Sequence, residues 1–323
     1  MRIYFAPLEG ITGHIYRNAY EAIYGHIDKY FAPFISPADN YALVPKEIRD
    51  LLPENNPRIA LIPQILTNRV DLFINAAEAL QAYGYNEFNL NLGCPSGTVC
   101  SKRKGAGFLP ETDELQRFLD GVYDYSENKN IIVSIKTRLG FYDPDEFYDL
   151  LEIYNAHPVS ELIVHPRIRA DFYKGEPRYD YYAYALEHSK NPLVYNGNIY
   201  TPEDYGALCK RMNTGIDTVM LGRGLITRPS LAEELLSDTS GTAAAQGTVI
   251  TRNDRTRFWR LHDTVYHEYQ KIMSPDINVL YKMKELWTYW RAEFDNSDRE
   301  IKTLLKAKKY AEYESILRKL KEM

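Results

Sequence analysis

The residue whose chemistry stands out first is Cys94, in the segment Asn91-Leu92-Gly93-Cys94-Pro95 just after an apolar, β-rich run. A thiol with an ordinary pKa of about 8.5 keeps its proton at neutral pH and can act as a general acid. It becomes a nucleophile where a neighbouring base lowers that pKa. A buried structural thiol is the third alternative. Zinc is not expected, because Cys94 and Cys100 lack a second cysteine pair and a nearby histidine.

A second candidate is Lys136, which follows the apolar run Ile131-Ile132-Val133-Ser134-Ile135. Burying an ammonium group is costly unless an anion pairs with it. A reduced flavin, which is anionic at its pyrimidine end, would provide that anion, and so would a substrate carboxylate. The alternative is a structural pair between Lys136 and an aspartate or glutamate of the same fold.

Two glycine-containing turns indicate a phosphate site: Asn196-Gly197-Asn198 and Gly222-Arg223-Gly224. Glycine lets backbone N–H groups approach a phosphate closely, and Arg223 could add charge-assisted hydrogen bonds. The alternative is that these glycines only form tight turns. Near Cys94, the loop that contains Lys102, Arg103 and Lys104 is either a solvated run of charge or a contact for a polyanionic substrate.

The elements that must position these residues recur at regular spacing. Apolar runs typical of buried parallel strands are followed by amphipathic stretches typical of helices. The predicted strands are Ile3–Pro7, Tyr30–Phe34, Arg58–Ile65, Glu87–Gly93, Ile131–Leu139, Glu161–Arg167, Pro192–Asn198 and Thr218–Gly224. Predicted helices include Asn68–Tyr83, Asp113–Tyr125, Asp145–Tyr154 and Pro202–Arg211, the last of which begins after a Thr201 cap.

Eight strand–helix units in the first 240 residues predict an α/β fold of the (β/α)8 TIM-barrel type. A doubly wound sheet is the alternative, but no Gly-x-Gly-x-x-Gly turn follows the first strand. In a barrel, polar residues at the carboxyl ends of the strands line the active site. Seven of the eight predicted strands end in such residues: Glu9, Gln64, Asn91 with Cys94, Lys136 with Arg138, His165 with Arg167, Asn196 with Asn198, and Arg223.

The charge distribution divides the chain. Residues 248–323 hold 16 of the 39 Lys and Arg and 12 of the 44 Asp and Glu, a net charge of +4, so that −9 remains for residues 1–247. We expect a barrel over residues 1–240, a small polar linker over Ser237–Gly247, and a domain of three or four helices over residues 241–323. Lysines 302, 306 and 309 would share a helix face, and Lys282, Lys284 and Arg291 lie beside Trp287, Tyr289 and Trp290. These residues form either a nucleic-acid contact or a solvated surface interleaved with core aromatic residues.

Three cysteines are too few for a disulfide framework, and neither a signal peptide nor a membrane span is apparent in the sequence. We therefore expect a cytoplasmic protein with no membrane partner, and a monomer.

Six motifs, in this order, resemble those of the tRNA-dihydrouridine synthases. They are Ala6-Pro7-Leu8-Glu9-Gly10, Asn89-Leu90-Asn91-Leu92-Gly93-Cys94-Pro95, Ile135-Lys136-Thr137-Arg138-Leu139-Gly140, Val164-His165-Pro166-Arg167, Asn196-Gly197-Asn198-Ile199 and Gly222-Arg223-Gly224. The resemblance implies an FMN enzyme, reduced by NADPH, that reduces the C5–C6 double bond of D-loop uridines in tRNA. It implies that hydride passes from the flavin to C6 and that Cys94 protonates C5.

The resemblance also implies site residues. FMN would be bound by Pro7, Leu8, Glu9, Gln64, Lys136, His165, Asn196, Gly197, Asn198, Gly222 and Arg223. Asn91, Arg138 and Arg167 would position the uracil, and Lys102, Arg103 and Lys104, with the basic tail, would grip the RNA. Pro166 and Asn198 depart from the family's commoner residues. Two alternatives stay open: a flavin barrel acting on a free pyrimidine, as dihydroorotate dehydrogenases do, and a non-catalytic RNA-binding barrel.

Overall fold

A computed structural model of the chain describes residues 1–239, 252–274, 276–294 and 298–322. The chain forms two compact units. The first comprises Met1–Glu9, Asp28–Asn198 and Gly206–Leu221, and the second comprises Gly10–Ile27, Ile199–Tyr205 and Gly222–Met323.

The first unit is a barrel of parallel strands. They are β1 (Arg2–Phe5), β2 (Lys29–Phe31), β3 (Leu61–Ile62), β4 (Gln64–Ile65), β5 (Glu87–Leu92), β6 (Ile132–Gly140), β7 (Leu162–Ile168), β8 (Leu193–Tyr195) and β9 (Thr218–Leu221), hydrogen-bonded in the order β3-β2-β1-β9-β8-β7-β6-β5-β4. Only Pro63 separates β3 from β4, and proline has no N–H for a strand ladder. Since β3 pairs with β2 and β4 with β5, this interrupted strand nearly closes the sheet at eight strand positions.

Helices follow each strand position. They are α1 (His14–Ile23), α2 (Pro45–Leu51), α3 (Val70–Gln81), α4 (Gly97–Cys100), α5 (Thr112–Lys129), α6 (Glu146–Asn155), α7 (Tyr179–His188), α8 (Pro202–Met212), α9 (Arg223–Thr227) and α10 (Leu231–Thr239). The predicted (β/α)8 order is confirmed. The Thr201 cap of α8 is confirmed too, since its hydroxyl accepts a hydrogen bond from the N–H of Asp204 at 3.2 Å.

Apolar side chains fill the interior of the barrel. Tyr4, Ala6, Phe31, Ile62, Ile163, Val194 and Met220 form one buried cluster, against which the partly buried Leu8 packs. Leu8 follows the carboxyl end of β1 by three residues. The strand interiors are thus packed as a core, and Leu8 covers that core at the end where barrel enzymes place their active sites.

The opposite, amino end of the barrel is closed by an ion network. The Lys29 ammonium lies 2.6 Å from the Glu87 carboxylate and 3.1 Å from the Glu161 carboxylate. The Tyr4 hydroxyl donates a hydrogen bond to Glu161, and Arg2 lies 3.4 Å from the same carboxylate. Glu161 is only 5% exposed. A buried carboxylate keeps its charge only where donors surround it, and here three donors do so.

The second unit contains four longer helices or helical segments beyond residue 251: α11 (Arg252–Ile272), α12 (Asp276–Trp290), α13 (Asp298–Lys306) and α14 (Tyr310–Glu322). This confirms the predicted helical tail over the residues described. Its core contains Trp287, Trp290 and His262, all fully buried. Tyr313 accepts a hydrogen bond from the Trp287 indole at 3.0 Å and lies 3.1 Å from Nε2 of His262. Trp287 and Trp290 are therefore core residues rather than an RNA-binding surface.

Helix α1 belongs to the second unit by its contacts. Arg257 of α11 donates to the carbonyl of Ile23 at 3.2 Å and lies over the Tyr24 ring, while Tyr16 stacks on Trp290. The boundaries of the compact units therefore differ from the predicted domain boundary at residues 240–241. That predicted boundary falls outside the described residues and stays a prediction. The predicted linker begins too early, because Ser237–Thr239 complete α10, and its other residues lie outside the described ones.

The predicted row of three lysines on one helix face is wrong. Helix α13 ends at Lys306 and α14 begins at Tyr310, so Lys309 lies between two helices and cannot continue the spacing from Lys302. In the part of the chain that the structure describes, no helix is long and apolar enough to cross a membrane.

Candidate active site

The Cys94 backbone is held in place from two sides. Strand β5 ends at Leu92, and the side-chain oxygen of Asn91 accepts hydrogen bonds from the N–H groups of Gly93 at 3.1 Å and Cys94 at 2.9 Å. The Cys94 carbonyl accepts a bond from the N–H of Ala106 at 3.0 Å. Gly105 has φ +57°, and a Cβ there would lie 2.9 Å from Cβ of Cys94, so only glycine fits. The backbone that carries the thiol is therefore fixed by hydrogen bonds and close packing.

The surroundings of Cys94 favour the protonated thiol. Burial raises the pKa of Cys94, the Ser96 N–H lowers it, and the Lys136 and Arg138 charges lower it less. With a raised pKa the group carries its proton at neutral pH, which suits a general acid and disfavours a resting thiolate nucleophile.

Lys136 lies on β6, beside β5, where it is paired in register with Asn91. Among the described residues its ammonium forms no ion pair or hydrogen bond, so the alternative of a structural pair with a barrel carboxylate is wrong for that part of the chain. Burial and, to a smaller extent, the Arg138 charge lower the pKa of Lys136 to about 7, and Cys94 opposes them only weakly. An amine that is largely buried, with no anion beside it in the described part of the chain, is an environment that a bound anionic group would complete.

A row of buried amides connects β4, β5 and β6. Asn91 donates to the Gln64 side-chain oxygen at 2.7 Å, Gln64 donates to Asn89 at 2.7 Å, and Asn89 donates to the Ser134 hydroxyl at 2.8 Å. Gln64 and Asn91 were predicted from strand ends, whereas Asn89 and Ser134 were not. The available signal was their polarity inside otherwise apolar strands, which in a buried position requires partners.

Three of the predicted ligand-binding residues, Arg138, His165 and Arg167, form hydrogen bonds with other groups of the protein. Arg138 donates to the carbonyls of Gly93 at 2.9 Å and Ile168 at 3.0 Å. Arg167 donates to His165 at 2.9 Å and to the backbone of the following loop. Burial lowers the pKa of Arg138 to about 10. These groups lie at the strand ends as predicted, and they fix the loops that carry Cys94 and Tyr173.

Tyr173 was not predicted. Its ring is 52% exposed and lies 5.6 Å from the Arg138 guanidinium and 6.1 Å from the His165 ring. The sequence signal was an aromatic residue shortly after a strand that ends in His165 and Arg167. Nothing in its periodicity distinguished it from the many other tyrosines.

The first predicted motif gives an apolar surface and an exposed acid. Leu8 packs on the barrel core, while Glu9 is largely exposed, with its carboxylate 3.5 Å from the Lys46 ammonium. Pro7 lies between the buried Ala6 and Leu8 and is partly exposed.

The two glycine turns are each required by close packing. A Cβ at Gly197 would lie 2.1 Å from the Tyr195 hydroxyl, and one at Gly224 would lie 2.2 Å from the Ile199 carbonyl. Asn196 donates to the carbonyl of Met220 at 2.7 Å, within the first unit. Gly222 follows the last residue of β9, and Arg223, the first residue of α9, lies over the Tyr200 ring in the second unit. Asn198 and Gly222 belong to different units, so a shared phosphate site stays a prediction.

The three cations after Cys94 differ in their surroundings. Arg103 lies 3.6 Å from Glu111 and 3.9 Å from Glu114, and Lys104 donates to the Ser36 hydroxyl at 3.4 Å. Lys102 is exposed and has no side-chain partner among the described residues. Over that same portion of the chain, no group of His, Cys, Asp and Glu could hold a metal ion.

Comparison with known proteins gives consistent results. A family model described as dihydrouridine synthase matches residues 4–319. A tRNA-dihydrouridine(16) synthase from Pseudomonas syringae pv. tomato is 31% identical over 75% of this chain and 76% of its own. A protein of the same name from Vibrio vulnificus is 26% identical over 97% of this chain and 96% of its own. Histamine dehydrogenase from Rhizobium sp. 4-9 shares the fold, with a TM-score of 0.52 and 11% identity over 74% of this chain and 46% of that one.

Proposed function

Since this chain belongs to the dihydrouridine synthase family, we propose that it is a tRNA-dihydrouridine synthase, which reduces the C5–C6 double bond of a D-loop uridine. The names of the relatives from Pseudomonas and Vibrio specify position 16, and we extend the proposal to uridine 16 of tRNA. We place the activity in the cytoplasm, in a monomer.

One observation carries the proposal: a largely buried thiol and a largely buried amine, the latter without an ionic partner among the described residues, lie next to each other at the carboxyl ends of neighbouring strands. Cys94 follows β5, and Lys136 lies on β6 in register with Asn91. Burial raises the pKa of Cys94 and lowers the pKa of Lys136 to about 7. The first group is suited to give a proton and the second to receive an anion.

The residues present fit FMN. Lys136 offers an ammonium without an anionic partner among the described residues, and Leu8 offers apolar surface above the core. Pro7, Leu8, Glu9, Gln64, Lys136 and His165 would hold the ring system, and Asn196, Gly197, Asn198, Gly222 and Arg223 the ribityl phosphate. When bound and reduced, FMN supplies the hydride for uracil C6. NADPH is the proposed reductant.

Cys94 would give its proton to C5 of the uracil as charge develops over the C4 carbonyl. Asn91 positions the thiol by holding the N–H groups of Gly93 and Cys94, and Arg138 positions it by holding the Gly93 carbonyl. The uridine must leave its stack to reach the barrel mouth. Lys102, exposed beside this site, and the basic helices of the second unit would contact the phosphates of the RNA.

The experiment is a reaction of the purified, yellow holoprotein with NADPH and a tRNA transcript that contains no dihydrouridine. Mass analysis of nuclease fragments should find a gain of two hydrogen atoms at a single D-loop uridine, which we expect at position 16. Reduction of free uracil or orotate without reaction on tRNA would favour the free-pyrimidine alternative instead. A colourless protein that binds tRNA without changing its mass would favour the non-catalytic alternative.

A further inference from the structure

Two loops at the carboxyl end of the barrel expose aromatic rings that the proposed chemistry does not use. Tyr142, between β6 and α6, is 74% exposed, and Phe172, between β7 and α7, is 41% exposed. A ring on a flexible loop has no fixed position, so it is poorly suited to bind a ligand. These two loops are instead held by internal hydrogen bonds.

The β6–α6 turn is held by one carboxylate. Glu146 accepts hydrogen bonds from the backbone N–H groups of Phe141 at 2.8 Å, Tyr142 at 2.7 Å and Asp143 at 2.8 Å. A Cβ at Gly140 would lie 2.5 Å from the Asp143 carbonyl, so the turn is also closely packed. The Tyr142 side chain is therefore exposed on a turn whose backbone N–H groups are hydrogen-bonded within the protein.

The β7–α7 loop is held by two buried or half-buried groups. Arg167, fully buried, donates to the carbonyls of Lys174 at 3.3 Å and Gly175 at 2.6 Å. Asp171 pairs with Arg178 and accepts from the N–H of Ile168 at 2.9 Å. Between them Phe172 has φ +50°, a conformation that a bulky residue adopts at a cost and keeps only where its surroundings fix it.

Arg169 joins the two loops. Its guanidinium lies 5.4 Å from the Phe141 ring and 5.3 Å from the Phe172 ring. It forms no ion pair among the described residues, and its buried Nε has no hydrogen-bond partner there. Its NH2 group lies 4.0 Å from where a Cβ of Gly97, three residues beyond Cys94, would be. A guanidinium without an ionic partner in the described part of the chain thus lies close to two rings, next to the loop that carries the thiol.

We propose that Arg169 and Phe172 bind the unpaired nucleotide next to the target uridine. The base would stack on the exposed face of the Phe172 ring, and Arg169 would contact its phosphate. Rings paired with an unpartnered cation are the features that bind single-stranded nucleic acid without reading its sequence. This inference rests on the proposed function, since it deepens how the same site takes its RNA substrate.

The test is a binding cycle between protein and RNA variants. The probe is a D-arm RNA hairpin, together with copies in which the base on either side of the target uridine is replaced by an abasic ribose. Fluorescence anisotropy gives the Kd with the FMN-loaded protein. We expect Phe172→Ala to weaken binding of the intact hairpin by about tenfold, as loss of one stacked base does. One of the abasic hairpins should bind the native protein about tenfold more weakly but bind Phe172→Ala with no further loss.

Two further variants keep the test from depending on loop stability. Phe172→Tyr retains a ring and should bind the intact hairpin as the native protein does. Arg169→Ala should weaken binding and reduce the salt dependence of log Kd by about one phosphate contact. The control is Leu186→Ala, which removes an apolar side chain of similar exposure, 38%, from the last turn of α7 at the other end of the barrel, and should change nothing.

The inference is overturned if Phe172→Ala binds as tightly as the native protein. It is also overturned if Phe172→Ala loses the same factor on every abasic hairpin as on the intact one, or if Phe172→Tyr loses as much as Phe172→Ala. The cycle requires no turnover. A native protein that reduces tRNA but is indifferent to the neighbouring base contradicts only this inference, whereas one that shows the cycle without reducing tRNA contradicts only the proposed function.

Discussion

Two lysines on strands of the same barrel have opposite surroundings. Lys29, at the amino end, contacts both Glu87 and Glu161, whereas Lys136, toward the carboxyl end, has no ionic partner among the described residues. Burial alone would lower the pKa of both. For Lys29 the hydrogen bond to Glu87 and the charge of Glu161 outweigh burial and raise it. For Lys136 only the weak influence of Cys94 opposes burial and the Arg138 charge, and its pKa falls to about 7.

The difference shows how the two ends of the barrel divide their tasks. At the amino end, charges are paired within the protein, which contributes to stability and leaves nothing for a ligand. At the carboxyl end, the protein tolerates an uncompensated amine, which costs stability unless an anion binds. The same contrast recurs on a smaller scale between Arg103, which faces two glutamates, and Lys102, which faces solvent.

The largest expected effect tests the chemistry of the carboxyl end. If Cys94 is the proton donor, Cys94→Ala should lower the rate of uridine reduction by about 10²–10⁴-fold, the usual contribution of a general acid. FMN content and the temperature of unfolding should change little, since the hydrogen bonds that hold this residue in place are formed by its backbone N–H and carbonyl, which the substitution keeps. Cys209→Ala, which removes a half-buried thiol from α8, is the control. Full activity of Cys94→Ala would remove this residue from the proposed mechanism.

The next effect concerns the amino end. Glu161→Gln removes the charge that Lys29, Arg2 and Tyr4 share, and should lower the free energy of unfolding by about 2–3 kcal/mol, measured by urea denaturation. Activity per folded molecule should stay unchanged, because the network lies at the opposite end from Cys94. Asp39→Asn, which breaks the exposed 2.7 Å pair with Arg69, should cost about 0.5 kcal/mol or less. Equal losses of unfolding free energy in the two variants would show that the buried network at the amino end contributes no more than an exposed ion pair.

A smaller effect of opposite sign is expected at Lys136. In FMN-free protein, Lys136→Met should raise the free energy of unfolding by about 1 kcal/mol, because it removes a buried amine without a partner. It should also abolish tight FMN binding, measured by fluorescence titration. A destabilised FMN-free variant would indicate that Lys136 has a stabilising partner after all.

The pH dependence of unfolding tests independently whether each lysine raises or lowers the free energy of unfolding. The unfolded chain holds the Lys136 proton up to about pH 10.5, while the folded, FMN-free protein releases it near pH 7. Between these values unfolding takes up a proton, so the Lys136 contribution to the free energy of unfolding rises with pH. For Lys29 the folded pKa is raised, so its contribution is complete below its ordinary pKa and is lost as the pH rises through the folded value. Native-minus-variant curves for Lys136→Met and Lys29→Met should therefore differ in sign and pH range.

Much of this contrast could be predicted from the sequence, because strand ends in a parallel barrel are fixed by chain direction. The apolar run before Lys136 and the motif that contains Cys94 are enough to place both residues at the carboxyl end. The unpaired state of Lys136 could not be predicted, since a partner carboxylate could come from any other strand. The paired Lys29 was missed for the same reason: Glu87 and Glu161 lie far from it in sequence and reach it only through strand pairing.

The prediction failed where function depends on loops rather than strands. Phe172 and Tyr142 carry no periodic signal. The hydrogen bonds that hold their loops run largely from Glu146, Asp171 and Arg167 to backbone groups, which leave no pattern in the sequence. The aromatic residues of the tail were left between two interpretations. Trp287 and Trp290 lie among lysines in sequence, which allowed either an RNA surface or core packing, and helix packing buries both. Composition alone cannot tell which face of a helix packs against its neighbours.

The smallest expected effect sharpens the comparison within one loop. Lys102→Ala removes an exposed cation with no partner among the described residues, and should weaken tRNA binding severalfold and reduce the slope of log Kd against log salt by about one contact. Arg103→Ala removes the same formal charge from a residue that already faces Glu111 and Glu114. Because those glutamates compete with phosphate for Arg103, its loss should change the slope less. The two slopes, measured by filter binding from low to physiological salt, should differ in that order. Equal slopes would mean that pairing inside the free protein does not decide which cations meet the RNA.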